Sequence, residues 1–364
     1  MRAKALPISS GTAAHPRAAA PFSGDTRAVL TARALHNRMF ARKSAFLTLA
    51  LLLLASVCTF LLALRAGSLD AAWGDVFAVL GGQADGTLGV VIRELRLPRA
   101  VAAFTSGALL ALSGALMQVL LRNPLADPYV LGISGGAAVG ALSAILLGAA
   151  TWMVDGAAFA GAALAMLVVF GLSRGDGSWT QTRLLLTGVI VAAGCGAVVV
   201  FMLVMATDTR IQSMLFWLTG DVSGAARPWP ALAVLVMGLL ATLPFARDLN
   251  VLARGELSAR ALGVRTKALR LLVYLMASLL TATAVTLVGL VGFVGLIVPH
   301  LVRLATGNDQ RILLHASALA GGALLTLADT AARTLVAPIQ LPVGVLTAMI
   351  GVPVFLFLLV RHPR

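Results

Sequence analysis

Apolar residues run almost unbroken through ten stretches of the chain, near residues 44–64, 98–118, 128–149, 151–171, 184–206, 228–246, 268–289, 292–306, 311–332 and 343–361. A helix rises about 1.5 Å per residue, so about 20 apolar residues cross the roughly 30 Å of hydrocarbon in a bilayer. Most of the stretches reach that length. The stretch 292–306 is short, and only Gly289–Gly292 divides it from its predecessor. The pattern predicts an all-α polytopic membrane protein of about ten transmembrane helices, with both termini on one side.

Composition agrees. Of the 364 residues, 59% are hydrophobic and 12% charged, with a mean hydropathy of +0.96, more apolar surface than a water-soluble domain of this length could hide. The formal net charge of +14 would suggest nucleic acid in a soluble protein, but nearly all charge lies outside the apolar runs. The positive-inside bias accounts for it, and no nucleic-acid partner is expected. Arg122, Arg174, Arg183, the 247–270 cluster, Arg303, Arg311, Arg361 and Arg364 fall on the side predicted as cytoplasmic. The opposite loops are mixed, with Asp70, Asp75, Asp85, Asp208 and Asp221 beside the Arg93–Arg99 cluster, Arg210 and Arg227. The first 43 residues carry eight basic side chains and one acid, Asp25. Their Pro, Ser, Thr and Ala content predicts a poorly ordered cytoplasmic tail over 1–43, with the membrane domain over 44–364. Cys58 and Cys195 match no disulfide or metal spacing and read as small buried hydrophobes.

Several breaks interrupt the apolar pattern. In the run Asn123-Pro124-Leu125-Ala126-Asp127-Pro128-Tyr129, each proline lacks an N–H and restricts its predecessor, which stops helix hydrogen bonding. Gly132, Gly135, Gly136 and Gly140 follow. Their spacing lets helix backbones approach closely, for packing alone or for a moving element built on that packing. Gly289, Gly292, Gly295 and Pro299 predict a broken helix, tolerable where protein or a water-filled cavity covers the opened backbone. His300 beside them reads as a helix-end or interface group, with proton relay and metal ligation as alternatives; in the sequence no histidine or carboxylate stands at ligand spacing from it, and His315 reads similarly. Asp329 and Arg333, four apart, share a helix face, either as a local ion pair or with Asp329 orienting Arg333 toward a partner. Arg96 and Arg99 flank Pro98, which suits a first helical turn. That would fix two guanidinium groups at the outer surface, suited to bidentate recognition of carboxylates.

The stretch Arg247–Arg270 alternates Leu, Val and Ala with six basic and two acidic residues at helical spacing, between two apolar runs. Such an element on one face of a membrane protein is expected to touch a partner there. The chain has no GxxxxGK[ST] loop and so no ATP site of its own. No apolar stretch carries a clear acidic relay of the kind an ion-driven carrier needs, nor a filter-like polar repeat.

At this point the chain resembles the permease subunit of type II ABC importers, the family handling iron–siderophore complexes, haem and vitamin B12. The likeness runs from about residue 50 to the end. It rests on RLPR (96–99), GALLALSGALMQ (107–118), NPLADPYVLGISGGAAVG (123–140), LTGVI (186–190), FWLTGD (216–221), GELSARALGV (255–264), VGFVGLIVPHLVR (291–303) and the LADTAAR…LPVG…IGVPVF series (327–355). The resemblance implies a ten-helix permease fold and a homodimer whose axis holds the pathway. It further implies two cytoplasmic ABC ATPase subunits, a periplasmic substrate-binding protein, and a multi-pass location in the bacterial inner membrane with both termini cytoplasmic. Short coupling helices at about 249–264 would sit on the ATPase, through Arg254, Gly255, Glu256, Ala259, Ala261, Leu262 and Gly263. Arg96, Arg99 and Arg333 match arginines that dock glutamates of the binding protein, and Asn123 and Leu125 match the cytoplasmic gate. The chain would hold no catalytic, cofactor or metal residues, since ATP and magnesium are used by the ATPase partner. Arg254 stands where the family more often has leucine, Leu257 where it often has an acid, Gln340 where glutamate is common and Asp221 where serine is common.

The implied mechanism is alternating access: a loaded binding protein docks outside, and ATP-driven closure of the motor moves 249–264 and changes the gate at Asn123 and Leu125. Haem or a ferric siderophore is the first expectation for the cargo and a corrinoid the alternative. A secondary transporter and a non-transporting membrane subunit are the competing classes.

Overall fold

The computed structural model describes residues 24–67, 69, 71–83, 86–173, 180–225 and 227–361. Residues 1–23, Asp70, Asp85, Arg174 and Arg364 lie outside these. Met1–Ser44 and Ala45–Arg364 form two separate units. In the first, the helix begins at Gly24, upstream of the expected start near 44.

In chain order the helices are α1 (Gly24–Arg65), α2 (Trp73–Leu80), α3 (Gly86–Val90), α4 (Leu97–Leu120), α5 (Ile133–Leu146), α6 (Thr151–Ser173), α7 (Gln181–Met205), α8 (Asp208–Thr219), α9 (Trp229–Thr242), α10 (Ala246–Ala253), α11 (Glu256–Ala261), α12 (Thr266–Val288), α13 (Val294–Thr306), α14 (Gln310–Thr334) and α15 (Val343–Arg361). A π-helical turn, Val91–Arg96, joins α3 to α4 without a break. Among the described residues, seven helical stretches are long and apolar enough to cross a membrane, and three shorter apolar helices, Ile133–Leu146, Val294–Thr306 and Val343–Leu358, fall in the remaining predicted segments. The fold is therefore all-α and polytopic. The predicted segment 128–149 begins its α-helix late, at Ile133, because Pro128–Leu131 forms a tight 3-10 turn ending at Gly132. The segment 228–246 runs on through a 3-10 turn, Leu243–Phe245, into α10, so the amphipathic stretch starts as a continuation of a span.

The helix α4 is the centre. Of its most apolar window 94% is buried, against 11% for α7. Small residues explain the difference. A methyl group on Gly107 would stand 2.2 Å from the Gly321 carbonyl oxygen of α14, and one on Gly114 would stand 1.8 Å from the Gly295 oxygen of α13. Without a side chain at these points the backbones touch, which gives helices in lipid their dispersion contact. The glycines after Tyr129 also pack: Gly136 of α5 meets Gly161 of α6 in the same way. Cys58 is exposed and Cys195 half-buried, which corrects the reading of both as buried. An apolar stretch in a membrane protein can face lipid instead of protein, and sequence hydropathy does not distinguish the two.

The predicted helix break is present between α12 and α13. Its opened backbone is satisfied by neighbours: the Leu290 N–H donates to the Trp217 oxygen at 3.3 Å, and the Asp221 N–H to the Val288 oxygen at 2.8 Å. Phe293 adopts a left-handed φ of 69°, with its ring close against Gly351 of α15.

Candidate coupling, gate and docking surfaces

At the end expected to face the cytoplasm, Gly255 separates α10 from α11 with φ 138° and ψ 146°, a region open to glycine and hostile to a side chain. Gly263 closes α11 at φ 80°. Between them α11 splits its residues. Ala259 is buried and supports the helix from beneath, whereas Arg254, Ala261, Leu262 and Gly263 are exposed. Glu256 turns inward: its carboxylate accepts from Arg270 of α12 at 3.1 Å and pairs with Arg260 one turn on. Leu257 and Leu262 are 84% and 71% exposed. Two large apolar side chains standing out of a charged helix are what a protein partner would cover, at about 1.5–3 kcal/mol each when buried. Leu257 was not among the coupling residues expected from sequence, although an apolar residue between Glu256 and Ser258 was a usable signal.

Asn123 and Leu125 lie in the segment that leaves α4. The Asn123 side-chain oxygen accepts the Leu125 N–H at 3.0 Å, which holds the turn at Pro124. Residues not singled out by sequence fix this segment at both ends. Arg122, at a left-handed φ of 47°, donates to the Gln181 side-chain oxygen of α7 at 2.7 Å, and Gln181 donates back to the Leu120 oxygen at 2.7 Å. The Tyr129 hydroxyl donates to the Val291 oxygen at 3.0 Å and faces the Val291 N–H at 3.1 Å, joining the segment to the helix break. Burial pushes the Asp127 carboxyl up to about 6, and the Tyr129 N–H that it accepts pulls the other way. Nearby, Gln118 donates to the Leu296 oxygen at 3.1 Å and accepts from Arg303 at 2.8 Å, tying α4 to α13.

The three arginines at the opposite end meet around the C-terminus of α1. Arg96 is 5% exposed and donates to the Leu64 oxygen at 3.0 Å and the Arg65 oxygen at 2.7 Å. Arg333 donates to the Ala66 oxygen at 2.6 Å and to the Ala63 oxygen. A helix end leaves its last carbonyls without partners and bears partial negative charge, so two buried guanidinium groups cap it well. Asp329 balances them. It takes a two-pronged bond from Arg99, at 2.9–3.1 Å, while the Arg333 guanidinium stands 3.8 Å away. The local Asp329–Arg333 pair expected from spacing is thus secondary to a pair between α4 and α14. Arg96 and Arg333 point inward, against the expectation of three outward groups; Arg99, with 17% of its side chain exposed, also reaches the Gln340 side-chain oxygen at 3.2 Å. A cavity of about 700 Å³ opens among Asp155, Arg210, Trp217, Asp221 and Arg227.

A ten-segment helical fold with a broken α12–α13 connection, and a charged α10–α11 element carrying exposed leucines, defines a membrane permease built to work with other subunits. The sequence profile of the FecCD transport family matches residues 51–361, and the chain belongs to that family. It is 46% identical over 278 residues to the cobalamin import system permease of Halobacterium salinarum, covering 75% of this chain and 74% of that one. It is 38% identical over 309 residues to the vitamin B12 import system permease of Escherichia coli O127:H6, covering 84% and 92%. A solved ABC transporter assigned to the metal-chelate type, in an inward-facing conformation, superposes with a TM-score of 0.75 at 30% identity, covering 87% of this chain and all of that one. The chain is accordingly the transmembrane permease of a type II ABC importer for a bulky metal chelate. Such permeases work as homodimers with ABC ATPase subunits and a substrate-binding protein, and ATP hydrolysis takes place in the separate ATPase subunit.

Proposed function

We propose that the cargo is a corrinoid, which exchanges the order of the two cargo expectations. The support is the pair of relatives named for cobalamin and vitamin B12 import, at 46% and 38% identity over three quarters or more of this chain. The preference for haem or a ferric siderophore rests on no residue. In this reading both termini are cytoplasmic and α11 is the coupling helix, with Leu257 and Leu262 as its apolar anchors and Arg254 meeting an acid of the motor. Asn123 and Leu125 form the gate, and Arg99, the least buried of the three arginines, leads docking of the binding protein while Arg96 and Arg333 hold the surface beneath it. The sidedness agrees with the basic residues gathered at the α10–α11 end.

The test is uptake into proteoliposomes containing the permease, its ATPase and its binding protein. ATP-dependent accumulation of cyanocobalamin, with no accumulation of haem or a ferric hydroxamate, is the expected result. Accumulation of haem or the siderophore with cyanocobalamin left outside would overturn the assignment.

A further inference from the structure

The element that leads into α11 grips another helix through one side chain. The Asn250 amide nitrogen, on α10, donates to Asp309 Oδ1 at 2.9 Å, and its amide oxygen accepts the Gln310 N–H at 2.8 Å. Asp309 is the N-cap of α14 and also accepts the Arg311 N–H at 3.1 Å. Asn250 therefore satisfies a first-turn N–H that α14 cannot satisfy itself, and completes the cap from a different helix. The helix so gripped does not stand alone. Gly107 and Gly321 bring α14 and α4 into backbone contact, and α4 leads directly to Asn123 and Leu125. The far end of α14 carries Asp329, about 30 Å from Gln310 at 1.5 Å per residue, where it holds Arg99.

We propose that Asn250 is a positioning residue of the transport cycle. It is the clasp through which the α10–α11 element carries α14, and α4 with it, when the motor moves. This rests on the reading of α11 as the coupling helix. Adjacency alone does not establish coupling; both ends must be seen to move on one equilibrium.

The experiment uses the full complex of permease and ATPase in lipid nanodiscs, in a Cys58→Ser, Cys195→Ser background. A spin label at Leu335→Cys, an exposed position at the end of α14, reports the distance between the two copies by pulsed electron resonance, with and without ATP and vanadate. The unmodified clasp should give a distance that changes on trapping. Asn250→Ala should still assemble with the motor yet reduce the shifted population about fivefold, within the range seen for residues that modulate coupling. Asn250→Asp should do the same, by placing two carboxylates together. No shift with the native clasp, or an unchanged shift in an assembled Asn250→Ala complex, would each overturn the proposal. Loss of assembly in Leu257→Ala, Leu262→Ala reads the coupling helix independently. If that control assembles normally the coupling reading fails and the clasp with it, whereas if it fails to assemble and Asn250→Ala shifts normally, the clasp alone is wrong.

Discussion

Replacing Gly114 with alanine places one methyl group where α4 and α13 touch backbone to backbone. The new carbon would lie 1.8 Å from the Gly295 oxygen, 2.6 Å from its carbonyl carbon and 2.8 Å from its Cα. Ordinary contact begins at 3.4 Å, so the nearest pair must separate by 3.4 − 1.8 = 1.6 Å. No flexible side chain stands there to swing aside. A gap of about 0.5–1 Å already forfeits a quarter to a half of the dispersion energy between surfaces, so most of this contact is lost. Overpacking costs about 1–3 kcal/mol, and the backbone clash places Gly114→Ala at about 3. Alanine returns about 1 kcal/mol through helix propensity, leaving a net loss of about 2 kcal/mol. The separation also strains the bonds from Gln118 to the Leu296 oxygen and to Arg303. Gly171 of α6, with nothing within 4 Å of a built methyl, is the matched control. Melting of both purified variants in detergent, followed by loss of the monodisperse peak, should place Gly114→Ala about 2–3 °C below the parent, with Gly171→Ala level or slightly above it. Equal midpoints for the two variants would refute the claim that α4 packs on α13 through bare backbone.

Other outcomes follow from the charged groups. Asp329→Ala removes the buried carboxylate that faces Arg99 and Arg333, and should cost about 3 kcal/mol in the same melt, because two half-buried cations lose their counter-ion. Arg99→Gln should assemble with the motor but lose stimulation of its ATPase by the loaded binding protein; full stimulation would remove Arg99 from docking. Arg96→Gln should instead lower stability, since it uncaps α1, and a midpoint equal to the parent's would contradict that role. Asp127 takes up a proton more readily in the fold, its carboxyl being raised from 3.8 to about 6. The folded state then binds more protons than the unfolded one between these values, so stability should fall as pH rises from about 4 to about 6. Asp127→Asn keeps the acceptor for the Tyr129 N–H and should flatten that slope; an unaltered slope would show that another group titrates.

The spans were legible because hydropathy reports what lipid demands, and the ten apolar stretches match the ten apolar helices, while the connecting helices α2, α3, α8 and α11 carry too little apolar length to show in that pattern. The break at 289–293 was legible too, since Gly289, Gly292 and Pro299 have few other uses inside an apolar run. The arginines were read from residue type and fell short: RLPR suggests outward guanidinium groups, yet nothing local reveals that Arg96 reaches the carbonyls of α1, 31 and 32 residues earlier in the chain. For the same reason the i,i+4 spacing of Asp329 and Arg333 hid the Arg99 partner, which is 230 residues away in sequence. Around the proposed gate, Asn123 and Leu125 are legible from their motif, but Gln181 and Tyr129, which tie the segment to α7 and to the break, act through contacts that no spacing encodes. At α11, Leu262 is legible through the family motif, whereas the exposure of Leu257 depends on which face of the helix Ala259 buries, and that is set by tertiary packing.

The π-helical turn at Val91–Arg96 has a consequence for how this chain can change. Such a turn holds one residue more than an α-helical turn, and each residue of a helix rotates the next by about 100°. Deleting one residue from 91–96 would relax the turn to an ordinary α-helix while both flanks kept their phase. Arg96 would still face the end of α1, and Arg99 would still face Asp329. Deleting a residue further on, within α4, would swing every later side chain of that helix away from its neighbour. Length variation among descendants of this sequence should therefore gather at the π-turn, where the register of the membrane core is insulated from whatever happens to the connection before it.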